Sequence, residues 1–415
     1  MWPIVWDWLN FAIRWVHVIT GIAWIGSSFY FIALDLSLKK HKDLPEGVGG
    51  DTWQVHGGGF YHMQKYTVAP ATMPEELTWF KWESYATWIT GFFMMCVLYY
   101  GSSELFLIDR NVSDLSQWQA IGLGFGGMLL GWVLYDQLCK SPIGNNDNLL
   151  SILVFIFVVA IGWGFLQVFS GRGAFVHTGA LIATIMSANV IMIIIPNQKK
   201  TVASLLAGEA PDPALGMQAK QRSMHNNYLT LPVLFLMLSN HYPLAYATQY
   251  AWIIIALVLV IGVVIRHFFN MHHAKKGEPY WTWLVATICF ILIMWLSQAG
   301  PVNHEETASS SHAPTETEQK LANAPSFDMV RDIVISRCSM CHAQEPAWEG
   351  LTITPKLVLL EEDADIVRHA ELIYKQAARS NAMPPGNLTS VTMEERDILA
   401  KWYEEAIGSP RYFLW

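Results

Sequence analysis

Eight stretches of this chain are each apolar and long enough to be read as membrane-crossing helices, and they follow one another between residues 11 and 299. They fall near 11–36, 84–101, 119–138, 149–169, 175–195, 228–244, 248–268 and 281–299, against the roughly 20 helical residues that a bilayer requires. In hydrocarbon every backbone N–H and C=O must be paired within its own segment, so such a series folds as a bundle of helices. Composition agrees: 53% of the 415 residues are hydrophobic and only 14% are charged, which argues against a soluble protein. The sixth stretch is short and carries Pro232, which predicts a break. Segment 37–83, rich in glycine and aromatics, would hold an interfacial or re-entrant piece.

Basic residues set the expected orientation. The segments after stretches one, three, five and seven hold Lys39, Lys40, Lys42, Lys65, Lys81, Lys140, Lys199, Lys200, Lys220, Arg222, Lys275 and Lys276. Those after two, four and six hold only Arg110 and Arg172. The positive-inside rule then puts both termini away from the cytoplasm. No basic region precedes the first apolar stretch, so no cleavable signal peptide is expected. The net charge of −8 argues against a nucleic-acid partner.

Beyond residue 300 the character changes. Residues 301–325 are rich in Ser, Thr, Glu, Ala and Pro and predict a flexible linker, followed by a compact domain over 326–415. That domain contains Cys338-Ser339-Met340-Cys341-His342, a C-x-x-C-H. Two thiols one helical turn apart can form thioether links to the vinyl groups of a porphyrin, with the adjacent histidine under the iron. One covalent haem c is therefore expected on Cys338, Cys341 and His342, with Met383 as the second iron ligand in preference to His369 or Met393. Proline after Met383 stiffens the loop that would present the sulfur. A helix should run into the motif, a second lie near 362–379 and a third near 392–407, where Ile398, Leu399, Trp402 and Ala406 recur at helical spacing and would pack on the first. The fold class expected is thus all-α: a polytopic membrane bundle of about eight helices (1–300) plus a small class I cytochrome c domain. Haem c is attached outside the cytoplasm, which agrees with the orientation argument. Cys96, Cys139 and Cys289 lie singly in apolar segments and are read as inert core residues.

Ionisable and amide groups inside apolar spans usually face the bundle interior and mark function. Arg14, His17, Gly21, Trp24 and Ser28 share one face of the first span. The fifth begins with Arg172 and His177, continues with the small residues Gly179, Ala183 and Ser187, and carries Asn189. The sixth follows His225-Asn226-Asn227 and ends at Asn240-His241, while Glu83 opens the second and Asp136 closes the third. His17, His177 and His241 are expected in the outer half, where two imidazoles at one depth would clamp a non-covalent haem b or one would act as general base. His41, His272 and His273 read as solvated interface groups, and His56 and His62 as loop hydrogen bonders.

Several longer strings carry a resemblance. With Trp79-Phe80-Lys81-Trp82-Glu83, Gly171-Arg172-Gly173-Ala174-Phe175-Val176-His177-Thr178-Gly179-Ala180, Ile195-Pro196-Asn197-Gln198-Lys199-Lys200 and His225-Asn226-Asn227-Tyr228 joined to the C-x-x-C-H domain, the chain resembles the bacterial membrane-bound urate oxidases fused to a cytochrome c (the PuuD family). The resemblance implies an enzyme of the bacterial inner membrane, with the cytochrome and both termini on the periplasmic side. It would oxidise urate to 5-hydroxyisourate and pass electrons through haem c to a respiratory-chain acceptor, without hydrogen peroxide. The stretch His17–Tyr30 also resembles the first span of a membrane protoporphyrinogen oxidase family that holds haem b through a histidine, which makes His17 the first choice for such a ligand.

A pocket for planar, anionic urate should offer aromatic faces, a cation and amides. The expected catalytic set on the outer side is Arg14, Arg172, His177, Asn189 and His241, with Asn240 beside them. The His56–His62 segment and Lys81 would serve on the inner side. Two other readings fit the residues: a quinol-oxidising respiratory subunit, and a purine transporter with an accessory cytochrome.

Overall fold

A computed structural model describes residues 2–68, 70, 74–101, 103–109, 112–297, 314–348, 351, 354–355, 358–380 and 382–407. Arg110, Asn381 and most of the expected linker lie outside the described residues. Two compact units are present: Pro3–Asn240 with Tyr250–Ala299, and Gly300–Trp415 with His241–Gln249.

The first unit is mostly helical, and each of the eight apolar stretches lies on a helix: α1 (Trp2–Ser37), α2 (Trp82–Met95, continued by a π-helical turn Cys96–Tyr100), α3 (Gln117–Lys140), α4 (Asp147–Leu166), α5 (Gly171–Ala188), α6 (Ile195–Leu206), α7 (Pro213–Leu238), α8 (Ala251–His273) and α9 (Trp281–Ser297). A π-helical turn, Asn189–Ile194, joins α5 to α6. Among the described residues, Trp8–Ser37, Gln117–Lys140, Asp147–Leu166, Gly171–Leu206 and Ala251–His273 are long and apolar enough to cross a membrane, and Trp281–Ser297 is a shorter apolar helix. Local chemistry starts these helices. Ser116 and Gln119 form a reciprocal capping box at α3, Asn146 caps α4, and Ser170 caps α5.

α5 is the axis of the unit, buried along most of its length and packed against α2, α3, α4 and α7. Its small residues permit this: a Cβ on Gly179 would lie 3.1 Å from the Cβ of Leu236 on α7. The expected face of α1 is also present, with Arg14, His17, Gly21, Trp24 and Ser28 all half-buried.

Three expectations need correction. α7 begins well before residue 228 and runs unbroken through Pro232, whose ring lies in the space left by Gly262 of α8; a Cβ there would be 2.3 Å from the proline Cδ. Segment 37–83 holds an antiparallel hairpin, β1 (Val48–His56) and β2 (Gly59–Tyr66), so the fold is not purely α. Its two-residue turn puts Gly57 and Gly58 at φ +58 and +80, a conformation that favours glycine at both positions. His41 and His62 are not merely solvated or loop groups: their Nε2 atoms lie 3.0 and 2.6 Å from the two carboxylate oxygens of the buried Asp51, and Trp53 stacks on His62.

In the second unit α10 (Glu316–Ala322), α11 (Phe327–Arg337), α12 (Asp363–Arg368), α13 (Ala370–Ile373, continued by a π-helical turn Tyr374–Ala378) and α14 (Met393–Ile407) surround one apolar core. Leu399 and Trp402 of α14 pack in it with Phe327, Val330 and Val334 of α11, as the spacing predicts. The expected linker is shorter than 301–325. Thr315 and Glu318 cap α10 reciprocally, Leu321 belongs to the core, and its carbonyl accepts a 3.0 Å bond from the Trp402 indole.

Candidate functional site

The first half of α5 carries two buried polar side chains, His177 and Thr178. His177 is completely buried, with Nδ1 2.8 Å from the Gly173 carbonyl and Nε2 3.2 Å from the Tyr100 hydroxyl. A carbonyl only accepts, so Nδ1 carries the proton and the tyrosine donates to Nε2. Phe169 packs on the ring at 4.9 Å, and Gly124 of α3 leaves it room. Nearby, Arg172 donates through Nε to Asn240 Oδ1, which also accepts from Tyr99 at 3.1 Å, while the guanidinium lies 4.5 Å over the Phe106 ring. Arg14 of α1 lies within electrostatic range of Arg172 and Tyr99. Arg14, Arg172 and Asn240 are thus neighbours as expected, whereas His241 ends an adjacent short turn and is exposed.

Asn189 does not join them. It follows His177 by twelve residues, about 18 Å along a helix, and centres a second network. Its amide donates 2.9 Å to Asn226 Oδ1 and 3.1 Å to the Tyr135 hydroxyl, and its Oδ1 accepts 3.1 Å from Arg222. Arg222 closes on Asp136 at 2.8 Å, and the Tyr135 hydroxyl is hydrogen-bonded to His225 Nδ1 at 2.7 Å. Arg222, counted above as a loop charge, is therefore a buried helical residue. Every charge in this group has a partner, which marks it as a structural staple.

Sequence reasoning missed a third group. Arg266 of α8 is 5% exposed, and its guanidinium lies 3.9 Å over the ring of Phe29 on α1. Its hydrogen bonds are long, 3.4 Å to Asn227 Oδ1 and 3.4 Å to Asn270 Oδ1, and no carboxylate pairs with it among the described residues. Asn227 Oδ1 also accepts from Asn270 at 3.0 Å, while Asn227 Nδ2 and His273 Nδ1 are hidden from solvent without partners. The signal was available: an arginine inside an apolar span.

The same unit contains a cleft of about 620 Å³ whose lining includes Ile32, Trp79, Lys220, Ser223 and Met224. Of the inner-side alternatives, His56 is exposed at the hairpin end, and the Lys81 amine lies 5.8 Å from the Trp82 ring centre.

His17 faces α2, its Nδ1 3.0 Å from Thr90 Oγ1 and its ring over Gly91. It shares no hydrogen-bond partner with His177, both of whose ring nitrogens are engaged.

In the second unit the C-x-x-C-H residues follow α11. His342 Nδ1 lies 2.8 Å from the Val358 carbonyl, which fixes the proton on Nδ1 and leaves Nε2 with its lone pair. Cys338 and Cys341 are free; burial pushes the Cys338 thiol up to about 11 and raises Cys341 as well. Among the described residues no three His, Cys, Asp or Glu side chains are grouped to hold a metal ion. Met383 is half-buried against the core, anchored by its N–H to the Gln376 carbonyl at 2.8 Å and by Arg396 on its own carbonyl at 3.0 Å. His369 donates through Nδ1 to the Asp365 carbonyl at 2.9 Å, and Met393 is 73% exposed. Two thiols, an oriented imidazole and a pinned thioether fit a covalent haem.

The family model described as urate oxidase, N-terminal, matches residues 3–297. No curated protein and no solved structure matches the chain.

Proposed function

The chain belongs to the urate oxidase N-terminal family, and from that membership we propose that it oxidises urate to 5-hydroxyisourate in its helical unit and delivers the electrons to a haem c held by its second unit. The observation that carries the reading is the union in one chain of this family region with a C-x-x-C-H whose His342 is oriented by Val358. When bound, haem c supplies a one-electron acceptor. Cys338 and Cys341 would fix it covalently, His342 and Met383 would ligate its iron, and Val358 would hold the imidazole in the coordinating tautomer.

Urate and one water give 5-hydroxyisourate, two electrons and two protons, with the water supplying the added oxygen, so peroxide is not formed when haem c takes the electrons one at a time and passes them to a respiratory acceptor. The lysine-rich segments that remain after Arg222 is withdrawn into α7 support a C-terminal unit on the periplasmic face of the inner membrane.

Urate is planar and anionic, and the arginine–amide–aromatic groups at Arg172 and at Arg266 present the chemistry it needs. Arg172 has already spent its Nε on Asn240. Arg14, Arg172 and Asn240 form one candidate, with His177 on the same helix as Arg172, while Asn189 belongs to the staple of Arg222 and Asp136. Stoichiometric reduction of haem c by urate in the purified protein under argon tests the reading. Reduction by a quinol but not by urate overturns it.

A further inference from the structure

We infer that Arg266, Asn227 and His273 form the station that receives the purine anion, a conclusion that rests on the urate reading above. Two arginines lie at or below 5% exposure in the helical unit, and they differ in one respect. Arg222 is paired with Asp136. Arg266 has only two long bonds to amide oxygens and the face of Phe29. A buried cation without a counter-charge is costly, and a buried amide N–H without an acceptor adds to that cost.

The surplus has a direction. Asn227 Oδ1 is used by Asn270 and Arg266, so the amide is oriented with Nδ2 unpaired, in a residue of 0% exposure. His273 lies two turns along α8 from Arg266 and hides an unpaired Nδ1. Excess donors beside an aromatic ring call for a flat, acceptor-rich anion. Its charge would pair with the guanidinium, a carbonyl would take Asn227 Nδ2, and its N–H edge would meet the imidazole. A purine with ring carbonyls and an ionised N–H has that pattern.

Access is built into two helices. On α1, Phe29 is one turn from Ile32; on α7, Asn227 is one turn from Ser223 and Met224, and these three line the cleft. One turn is about 5.4 Å, so the cleft lining lies one turn from Phe29 and Asn227, the two residues of these helices that touch the guanidinium. Lys220 at the cleft supplies positive charge that attracts an anion.

The test is equilibrium dialysis of radiolabelled urate against detergent-solubilised holoprotein, reduced with dithionite under argon so that no acceptor is available for turnover. Thermal unfolding is measured in parallel without urate. Arg266→Gln should weaken urate binding by about ten- to hundredfold, yet leave the melting temperature of the urate-free protein equal or higher. Asn227→Asp gives Arg266 a carboxylate in place and should raise the melting temperature while abolishing urate binding. Urate binding that survives both substitutions overturns the station and leaves the urate reading standing. A lowered melting temperature in both variants with unchanged affinity shows that the group is structural. Wild-type protein that binds no urate overturns the functional reading itself.

Discussion

Asp136 of α3 and Arg222 of α7 meet at 2.8 Å with each side chain only 4% exposed, and Asp136 also holds Lys140 at 2.6 Å. The pair ties two helices whose contributing residues are 86 positions apart. Asp136→Asn leaves the Arg222 guanidinium buried without its counter-charge and should destabilise the protein by about 3–5 kcal/mol. Adding Arg222→Gln should recover part of that loss, because the orphan charge is gone. Thermal unfolding of the two single variants and the double variant in detergent measures both; strictly additive losses would contradict the pairing.

Gly262 and Pro232 form a steric pair. A methyl on Gly262 would stand 2.3 Å from the proline Cδ, so Gly262→Ala should cost about 1–3 kcal/mol by overpacking α8 against α7. Combination with Pro232→Ala should return most of the stability. If the alanine is tolerated beside the intact proline, the contact between the two helices is looser than described.

Met383 is proposed as the iron ligand opposite His342. Met383→Ala should leave haem covalently attached, remove the sulfur–iron charge-transfer band and lower the reduction potential. A spectrum indistinguishable from wild type would transfer the role to His369. Cys338→Ser with Cys341→Ser should yield chain without a covalent porphyrin by intact mass.

His17 has Thr90 as its Nδ1 partner rather than a second imidazole, and His177 is closed by Tyr100 and Gly173. Acid-acetone extraction of the purified protein, compared between wild type and His17→Ala, measures whether that histidine holds a haem b. A coloured extract that disappears in His17→Ala would establish that histidine as a haem ligand.

The hairpin supplies a pH dependence. Hydrogen bonds from His62 and then His41 hold the Asp51 carboxyl below its ordinary value of 3.8. Because the folded-state value is lowered, its contribution to hairpin stability is complete above 3.8 and is lost as the pH falls through the lower folded value. Proteolysis between Lys39 and Lys65 should accelerate only at the acidic end of that window, and Asp51→Asn should show the accelerated rate at neutral pH. Equal protection in wild type and variant at pH 7 would remove the latch.

The C-x-x-C-H motif and the packing of α14 were legible because they are local: the motif lies within five residues, and Leu399 and Trp402 announce their face by helical spacing alone. The apolar stretches were legible for the same reason, since a bilayer acts on each segment separately. The polar start of α7 was not. Its Arg222 and Asn226 read as a loop until Asp136 and Asn189, distant in sequence, supply their partners. Pro232 looked like a break because the space that accommodates it comes from Gly262 on another helix. Arg172 and His177 appeared as natural companions of Asn189, yet the pitch of α5 separates them into two networks. The difference between Arg222, neutralised, and Arg266, left without a counter-charge, is likewise invisible in composition. Hydropathy and motif spacing depend on neighbours along the chain, whereas the pairing of a buried charge depends on which helices the fold sets side by side.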